Sequence, residues 1–420
     1  MRFSPSTLAL LLGVWLLNAC EPSSETTAPI ADRTPVDEAI DDVVERGVMP
    51  LLYARVERFD GSVVYEHSAV NPLFTEREPT GESWMRIWSM SKSVTIATIL
   101  SLEEDGILSR TDPVTDYIPE FSELAVLSAD ADQENCGDET RAPKRAMTIE
   151  DLLNHNDGFY YPFTGYTCLD EAMVDARLPE ATSPDDLISR IASLTLHPTG
   201  IGASQYGIGT TVLGLVAERA TGKPFADVVE EHVTGPLGIA DTLRYTLPAD
   251  AETYPRVTGK SGSLALADSG DLDIFGGPVP QYTADTNIFL GGEGMVATTK
   301  GYAAFLRMMG SMGALDGTRI LEEETVIDWS SPKTQLDSPY GHNGFNIWVT
   351  NGRFDDLPNQ KPGLLVGGGY EGTAFWIDVD AGYVGLLMSQ VHAAPLDGVD
   401  EVARLRGLIY QHILEPGVQH

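Results

Sequence analysis

Basic residues are scarce in this 420-residue chain. It has 27 lysines and arginines against 62 aspartates and glutamates, which gives a formal net charge of −35 at pH 7. A surface of that sign repels the phosphates of nucleic acids and the anionic face of a membrane. We therefore exclude nucleic-acid binding. The hydrophobic share of 42% and the charged share of 21% are those of an ordinary globular chain, and no feature of the sequence indicates an oligomeric state.

Long apolar runs are also missing. The run at residues 8–17 has ten residues, whereas a membrane-spanning helix needs about 20. It follows Arg2 and ends in Leu-Asn-Ala-Cys at Cys20, an arrangement typical of a secretory signal peptide over residues 1–19. The ending resembles the bacterial lipobox. We therefore expect Cys20 to carry lipid and residues 20–34 to form a polar tether at the periplasmic face of a membrane, with no other membrane contact. The alternative is an ordinary signal peptide and a soluble periplasmic or secreted protein.

Cysteine is rare, with three in the chain. If Cys20 carries lipid, Cys136 and Cys168 remain as one pair in an oxidising compartment, and we expect them to form a disulfide. Such a bond closes a loop of about 32 residues and contributes on the order of 3 kcal/mol to stability. Two separate thiols are the alternative. No spacing of Cys or His matches a zinc site, and the acidic residues 129–139 lack the EF-hand pattern, so we expect no metal and no cofactor.

Both ends of the chain carry strand patterns. Residues 51–70 alternate around Asp60-Gly61 as a hairpin does, and residues 373–390 contain two further strands. Helical spacing precedes the first pair, at residues 36–44, and follows the second, at residues 399–414. These patterns predict an α/β fold, in the α+β sense, in which both chain ends build one antiparallel sheet flanked by helices.

The middle of the chain is mainly helical by pattern. Residues 89–247 hold several segments with helical spacing, so we expect a helical region inserted in a domain of residues 35–414, with residues 415–420 as a tail. Two stretches, residues 125–146 and 159–180, lack clear periodicity and contain the second and third cysteines. We predict that they are loops tied together by the disulfide.

A Ser-x-x-Lys motif at Ser89 and Lys92 opens an apolar helical run. Residues at positions i and i+3 share one face of a helix, so the lysine amine can reach the serine hydroxyl. A helix start adds a favourable dipole and a free backbone N–H for a developing oxyanion. This pattern favours Ser89 as a nucleophile. A second copy at Ser330 and Lys333 leads into no apolar helical run, and we treat it as a coincidence.

Further segments follow this motif in a familiar order. They are Leu108–Val114, Tyr117–Phe121, Thr148–His155, Pro236–Thr242 and Gly291–Val296. Together with the Ser-x-x-Lys segment they resemble the serine β-lactamases and penicillin-binding proteins, most closely the class C-like branch with its family VIII carboxylesterases and DD-peptidases. The resemblance covers residues 35–414. It implies a β-lactamase-like fold and a serine hydrolase that forms an acyl-enzyme on an ester or amide substrate.

The resemblance also implies roles for residues far from Ser89. Tyr206, in Gln-Tyr-Gly-Ile, takes the place of the tyrosine of this branch, which implies a proton shuttle that acts with Lys92 as a coupled base. A buried core tyrosine is the alternative. The segment Gly367–Thr373 takes the place of the Lys-Thr-Gly strand. It implies an oxyanion hole formed by the backbone N–H groups of Ser89 and Tyr370, with Trp88, Gly368, Gly369 and Tyr370 binding the substrate.

Two departures from the family pattern bear on the substrate. Gly367 stands where relatives have a cation or an aromatic residue, and Ile208 replaces an asparagine. A β-lactam or peptide carboxylate loses its usual partner at Gly367, unless Arg353 or Lys361 replaces it. Small neutral esters need no such partner. The sequence therefore predicts a carboxylesterase-like hydrolase, with β-lactamase or D-alanyl peptidase activity as the alternative.

Two other readings are weaker. A catalytically inert, penicillin-binding-like binding protein would have lost part of the serine, lysine and tyrosine set, yet all three are present. An α/β-hydrolase is disfavoured because the chain has no Gly-x-Ser-x-Gly motif. We expect His155 to be a structural residue at a helix end.

Overall fold

The computed structural model of the protein describes residues 33–134, 136, 139–267, 275, 282–335, 341–353, 360–394 and 398–416. The predicted signal peptide, Cys20 and nearly all of the tether lie outside these residues, as does the end of the predicted tail. Apart from Arg33, everything described belongs to the unit Thr34–His420. Within the described chain, no helix has the length and apolar character needed to cross a membrane.

Several helices begin at capping residues and follow apolar spacing. Thr34 caps the first helix, because its side chain accepts a hydrogen bond from the Asp37 N–H (3.1 Å) while the Asp37 carboxylate accepts one from Thr34 (2.8 Å). Val36, Ile40 and Val43 then bury one face of that helix. The α-helices are α1 (Pro35–Glu45), α2 (Ser91–Glu104), α3 (Ile149–Leu153), α4 (Thr167–Ala176), α5 (Pro184–Ala192), α6 (Gly209–Thr221), α7 (Phe225–Val229), α8 (Thr299–Gly310), α9 (Glu323–Ser330) and α10 (Gly398–Ile409).

The strands from both chain ends meet in one antiparallel sheet. The strands are β1 (Leu51–Arg58), β2 (Val63–Val70), β3 (Trp84–Arg86), β4 (Val126–Leu127), β5 (Thr140–Arg141), β6 (Leu243–Arg244), β7 (Val257–Thr258), β8 (Ala265–Leu266), β9 (Val296–Thr298), β10 (Ala314–Leu315), β11 (Thr318–Arg319), β12 (Thr334–Gln335), β13 (His342–Asn343), β14 (Trp348–Val349), β15 (Leu365–Gly369), β16 (Thr373–Asp378), β17 (Tyr383–Met388) and β18 (Val391–His392). The main sheet has the order β12-β13-β14-β15-β16-β17-β1-β2. Because β1 pairs with β17, the predicted sheet from both chain ends is confirmed.

Helices cover both faces of this sheet. On one face, α2, α6 and α8 pack into the larger apolar core. On the other face, α1 and α10 pack into a second core with Leu52, Val366 and Trp376. Every residue of α2 from Ser91 to Leu102 is buried, so it is a central helix with no solvent face. The predicted nucleophile therefore stands just before the start of an almost fully buried helix.

The region predicted as loops contains a helix. Residues Thr167–Ala176 form α4, and β4 pairs with β5 in a two-stranded sheet. The loop prediction is wrong for α4 because its apolar contact is short: Leu169 and Met173, one turn apart, are its buried residues. The structure joins Cys136 to Cys168, with Cα atoms 6.0 Å apart, so the bond ties α4 to the loop after β4.

Candidate active site

Ser89 lies in a strained turn between β3 and α2. The turn Trp88–Met90 is a 3₁₀ helix, and Trp88 has a positive φ of 44°. Two further residues near the site, His155 and Asn346, have φ of 53° and 46°. Non-glycine residues in this conformation are costly and concentrate at functional sites. Since Trp88 is fully buried, the turn is held in place by packing while Ser89 itself is half-buried.

Two side chains converge on the Ser89 hydroxyl. The Lys92 amine donates a hydrogen bond to the Ser89 Oγ (3.1 Å), as the spacing on one helix face predicts. The Tyr206 hydroxyl, from the segment just before α6, also donates to the Ser89 Oγ (2.9 Å). The structure therefore brings the serine, lysine and tyrosine named from the sequence into one hydrogen-bonded group.

Lys92 is completely buried and surrounded by oxygen atoms. Its Nζ lies 2.8 Å from the Tyr161 hydroxyl, 2.9 Å from the Gly292 carbonyl and 3.2 Å from the Glu293 Oε1. The side chain of Glu293 is 1% exposed, so the pair is an ion pair without solvent. A buried ion pair needs further hydrogen bonds to offset its desolvation. These contacts hold the amine at a fixed position beside the Ser89 hydroxyl.

Glu293 and Tyr161 belong to the site, although the sequence analysis gave them no role. The Tyr161 hydroxyl donates to the Glu293 Oε1, and the Thr211 hydroxyl donates to its Oε2 (2.7 Å). Burial, followed by the negative charge of Glu293, raises the pKa of Tyr161 well above its usual value, so this phenol stays protonated. The signal in the sequence was a single carboxylate between glycines in Gly-Gly-Glu-Gly.

The ring of His155 packs against the ring of Tyr206. Its ring centroid lies 4.8 Å from that of Tyr206, and its Nε2 forms a hydrogen bond with the Asn346 Oδ1 (2.7 Å). Burial, assisted by the positive charge of Lys92, lowers the pKa of His155 from 6.5 to about 3. The imidazole is therefore neutral at physiological pH, which agrees with the structural role expected for it.

Strand β15 lies directly against the turn before Ser89. A side chain at Gly369 would overlap the Ile87 carbonyl oxygen, so only glycine permits this approach. The next residue, Tyr370, packs its ring against Trp88 (centroids 5.2 Å apart), and its hydroxyl forms a hydrogen bond with the His392 Nε2 (2.9 Å). These contacts bring the end of β15 next to Ser89, as an oxyanion hole from Ser89 and Tyr370 requires.

A buried clamp joins the two segments that carry Ser89 and Tyr370. Arg86 donates from its Nε to the Glu371 Oε2 (2.5 Å), and both side chains are almost fully buried. The Gln390 side chain accepts from the Arg86 N–H (3.0 Å) and donates to its carbonyl (3.1 Å). Arg86 is three residues before Ser89, and Glu371 directly follows Tyr370. The clamp therefore fixes the distance between the two predicted oxyanion donors.

Ser89 and Tyr206 open into a cavity of about 720 Å³. Gly368, Gly369 and Tyr370, which the sequence predicts to bind the substrate, also line it. Trp88 does not belong to the described lining. It is 0% exposed and its ring packs against that of Tyr370, so its assignment to the pocket wall is corrected to a supporting position.

The position of the missing cation is filled by an aromatic ring. A Cβ at Gly367 would lie 2.5 Å from the Phe375 ring, which leaves no room for a side chain on that face. Lys361 instead pairs with Asp378 and Glu415, each at 2.8 Å. Neither Lys361 nor Arg353 is among the described lining residues of the cavity, whereas Arg406 is.

The second Ser-x-x-Lys motif forms no comparable site. The Ser330 hydroxyl donates a hydrogen bond to the Val326 carbonyl, and Lys333 pairs with Asp328.

The fold and this site define the class of protein. Residues 36–408 match the Beta-lactamase family, to which the chain belongs. The resemblance seen in the sequence is thereby confirmed.

Several known proteins are similar to this chain. "Protein Rv1367c" of Mycobacterium tuberculosis (strain ATCC 25618 / H37Rv) is 31% identical over 306 residues, 70% of this chain and 72% of its own. "Esterase EstB" of Burkholderia gladioli is 25% identical over 351 residues, 78% and 82% of the two chains. The solved structure of "EstCE1, a hydrolase with promiscuous acyltransferase activity" matches with a TM-score of 0.72 at 18% identity, over 89% and 97% of the chains, which shows the shared fold.

Proposed function

We propose that the protein hydrolyses neutral carboxylic esters through an acyl-enzyme on Ser89. The observation that carries this proposal is the double hydrogen bond to the Ser89 Oγ, from Lys92 and from Tyr206, at the mouth of a largely apolar cavity. A serine hydroxyl becomes a nucleophile only when a neighbouring group takes its proton. The esterase named among the relatives supports the same choice of chemistry.

The first half of the reaction forms the acyl-enzyme. This step requires the reactive form of the pair, in which the Tyr206 oxygen has lost its proton and stands as a phenolate beside the Lys92 ammonium. The Ser89 Oγ attacks the ester carbonyl while its proton passes to that Tyr206 oxygen. The carbonyl oxygen becomes negative and accepts hydrogen bonds from the backbone N–H groups of Ser89 and Tyr370. The bond between carbonyl carbon and alcohol oxygen then breaks, and the proton passes from Tyr206 to the leaving oxygen.

The second half releases the acid. A water molecule gives its proton to the same pair and attacks the acyl carbonyl, and the Ser89 Oγ leaves with a proton returned by Tyr206. Throughout, the buried Glu293 carboxylate holds the Lys92 amine in position and balances its charge. Lys92 is therefore the fixed partner of the pair and Tyr206 the group that transfers protons.

Substrate choice follows from charge at the cavity wall. A β-lactam or a D-alanyl peptide brings a carboxylate that needs a cation, and such a charge-assisted hydrogen bond is worth about 1.5–3 kcal/mol. Gly367 supplies none, and Phe375 occupies the space beside it. A neutral ester requires only the oxyanion donors and apolar contacts. One observation favours the alternative of β-lactamase or peptidase activity: Arg406 lines the same cavity.

A direct comparison of substrates tests the proposal. Values of kcat/KM are measured for p-nitrophenyl butyrate, nitrocefin and a D-alanyl peptide with one preparation, and Ser89→Ala is the control. We expect the ester to be the best substrate and Ser89→Ala to be inactive on all three. If nitrocefin or the peptide exceeds the ester tenfold, the alternative is correct. If none is turned over, the protein is the inert binding protein instead.

The two proton-transfer residues have their own test. Lys92→Ala and Tyr206→Phe are each expected to lower kcat by about 10²–10⁴, as the loss of positioned proton transfer does. Near wild-type activity of either variant would remove that residue from the mechanism.

A further inference from the structure

We propose that the cavity extends under α10 as a site for the alcohol part of the ester, and that it favours a long apolar alcohol. This inference rests on the proposed ester hydrolysis at Ser89. It adds that the alcohol part of the ester determines which substrates are preferred. Three observations carry it: where the cavity runs, which side of Ser89 it adjoins, and which side chains line it.

Small residues create the space. On the sheet, Gly368 and Ala374 are register partners in β15 and β16, and on the helix Ala403 is buried against the same cavity. Larger side chains at these three positions would fill the gap between sheet and helix. Val366 and Trp376, register partners two residues along the strands, lie on the same sheet face and line the same cavity. The cavity therefore reaches from Ser89 to the sheet face that α10 covers.

The extension lies on the side of the leaving group. Tyr206 is the residue that gives its proton to the leaving alcohol oxygen, so the alcohol must lie next to its hydroxyl. Trp348 adjoins Tyr206, with ring centroids 6.3 Å apart, and also packs against the second core. It lines the cavity together with Val366 of the neighbouring strand. An alcohol that leaves Ser89 past Tyr206 thus meets Trp348 and then the space under α10.

The lining suits a hydrocarbon chain. Beyond the catalytic residues, the described lining is mainly aliphatic and aromatic, and it contains no carboxylate: Met49, Val366, Trp376, Val391, Ala394 and Val402 are examples. Arg406 lies one helical turn from Val402, and its Nη2 donates to the Gln360 Oε1 (3.0 Å). This guanidinium forms a polar boundary to the apolar space. The rise in kcat/KM with each added methylene is therefore expected to stop at a definite alcohol length.

Two series of esters test the proposal. In one, the acid is acetate and the alcohol lengthens from ethanol to butanol, hexanol and octanol; in the other, the alcohol is ethanol and the acid lengthens over the same range. Acid release is followed with a pH indicator. We expect kcat/KM to rise about fourfold per methylene in the alcohol series, as the burial of a methylene implies, and to reach a plateau. An equal rise in the acid series, or no rise in the alcohol series, overturns the proposal.

Variants on the helix locate the effect. Val402→Phe, which fills the space under α10, is expected to flatten the alcohol series, and Val402→Ala is expected to move the plateau to a longer alcohol. The matched control is Val174→Phe, an exposed valine on α4, which should leave the series unchanged. A thermal unfolding scan checks that each variant is folded. An unchanged plateau in both folded Val402 variants overturns the assignment to this cavity.

A binding measurement separates this inference from the proposed function. The rate at which a fluorophosphonate probe labels Ser89 is measured with increasing ethanol or 1-octanol. Octanol is expected to slow labelling at concentrations where ethanol does not, and Val402→Phe is expected to remove that protection. If no ester is hydrolysed but octanol protects, ester hydrolysis fails while the apolar site stands. If esters are hydrolysed and octanol gives no protection, the site under α10 is refuted and the proposed function stands.

Discussion

At the scale of single residues, the proposed chemistry depends on a lysine that has no contact with solvent. Lys92 faces Ser89 on one side and Glu293 on the other, and Tyr161 bridges the amine and the carboxylate. Glu293 touches no reacting atom, so it is a positioning residue. The negative charge of Glu293 and the space that its side chain fills can affect the reaction in different ways. A substitution that removes the charge and keeps the size distinguishes the two effects.

Replacing Glu293 by glutamine removes the charge and keeps the size. We expect Glu293→Gln to lower kcat about 10–100-fold with a smaller effect on KM, because Lys92 loses its counter-ion while the cavity is unchanged. Loss of a nearby negative charge also favours loss of a proton from the site, so the acid side of the kcat/KM profile is expected to move to lower pH. The measurement is a pH profile of ester hydrolysis.

Glu218→Gln is the matched control for this change. Glu218 is a partly buried carboxylate on α6 that accepts a hydrogen bond from the Phe225 N–H (2.8 Å), away from Ser89. The Glu218→Gln variant should have the same pH profile of kcat/KM as the wild type. A Glu293→Gln profile that coincides with the wild type would show that Glu293 is only part of the packing.

His155 makes stability depend on pH. Its pKa is lowered from 6.5 to about 3 in the folded protein, so below pH 6.5 the unfolded chain binds a proton that the folded chain does not. This contribution to stability is complete above pH 6.5 and is lost as the pH falls towards 3. Between pH 7.5 and pH 5 we expect the wild type to lose about 2 kcal/mol more stability than His155→Gln.

Urea unfolding at the two pH values measures this difference. His412→Gln, at an exposed histidine, is the control and should follow the wild type. Equal losses for the wild type and His155→Gln would contradict the burial of a neutral imidazole beside Tyr206.

At the scale of elements, the site depends on how β3, β15 and α2 are held together. The Arg86 and Glu371 pair lies between the segment before Ser89 and the segment after Tyr370. We expect Glu371→Gln to destabilise the protein by about 3 kcal/mol, because it leaves a buried guanidinium without its charge partner. It should also lower kcat more than it raises KM, since the oxyanion donors are no longer fixed.

The control for the clamp is an exposed ion pair. Glu82 pairs with Lys300 at 3.0 Å on the surface, and Glu82→Gln should leave both stability and kcat near the wild-type values. Urea unfolding and ester kinetics are measured on both variants. A Glu371→Gln protein with wild-type kcat would show that the clamp does not position the oxyanion donors.

Residue patterns alone predicted local relations, whereas the place of Tyr206 and Tyr370 beside Ser89 was expected from the resemblance to a family. Ser89 and Lys92 are three residues apart on one helix, so their contact follows from helix geometry alone, and the terminal hairpins follow from alternation and turn residues. Glu293 is 201 residues from Lys92, and no periodicity relates them. The cavity under α10 arises from small residues on different elements, which only the packed structure brings together. The helix α4 has too few apolar positions to show a helical pattern.

At the scale of the whole molecule, we propose that the protein is held at a membrane by lipid on Cys20, because the apolar run at residues 8–17 ends in the lipobox-like Leu-Asn-Ala-Cys. Protein from a native membrane fraction is expected to have an intact mass that begins at Cys20 and includes acyl chains. A mass that begins elsewhere, or begins at Cys20 without acyl chains, would replace the anchor with an ordinary signal peptide.

The central claim is that Ser89 is the nucleophile of this molecule. The most direct test is labelling with a fluorophosphonate probe, followed by peptide mass mapping of an active preparation. We predict a single label on the peptide that contains Ser89 and no label in the Ser89→Ala variant. The peptide that contains Ser330 should carry none, because the Ser330 hydroxyl donates a hydrogen bond to a carbonyl of its own helix. A label on Ser330, or an active preparation that takes up no label, would contradict the account.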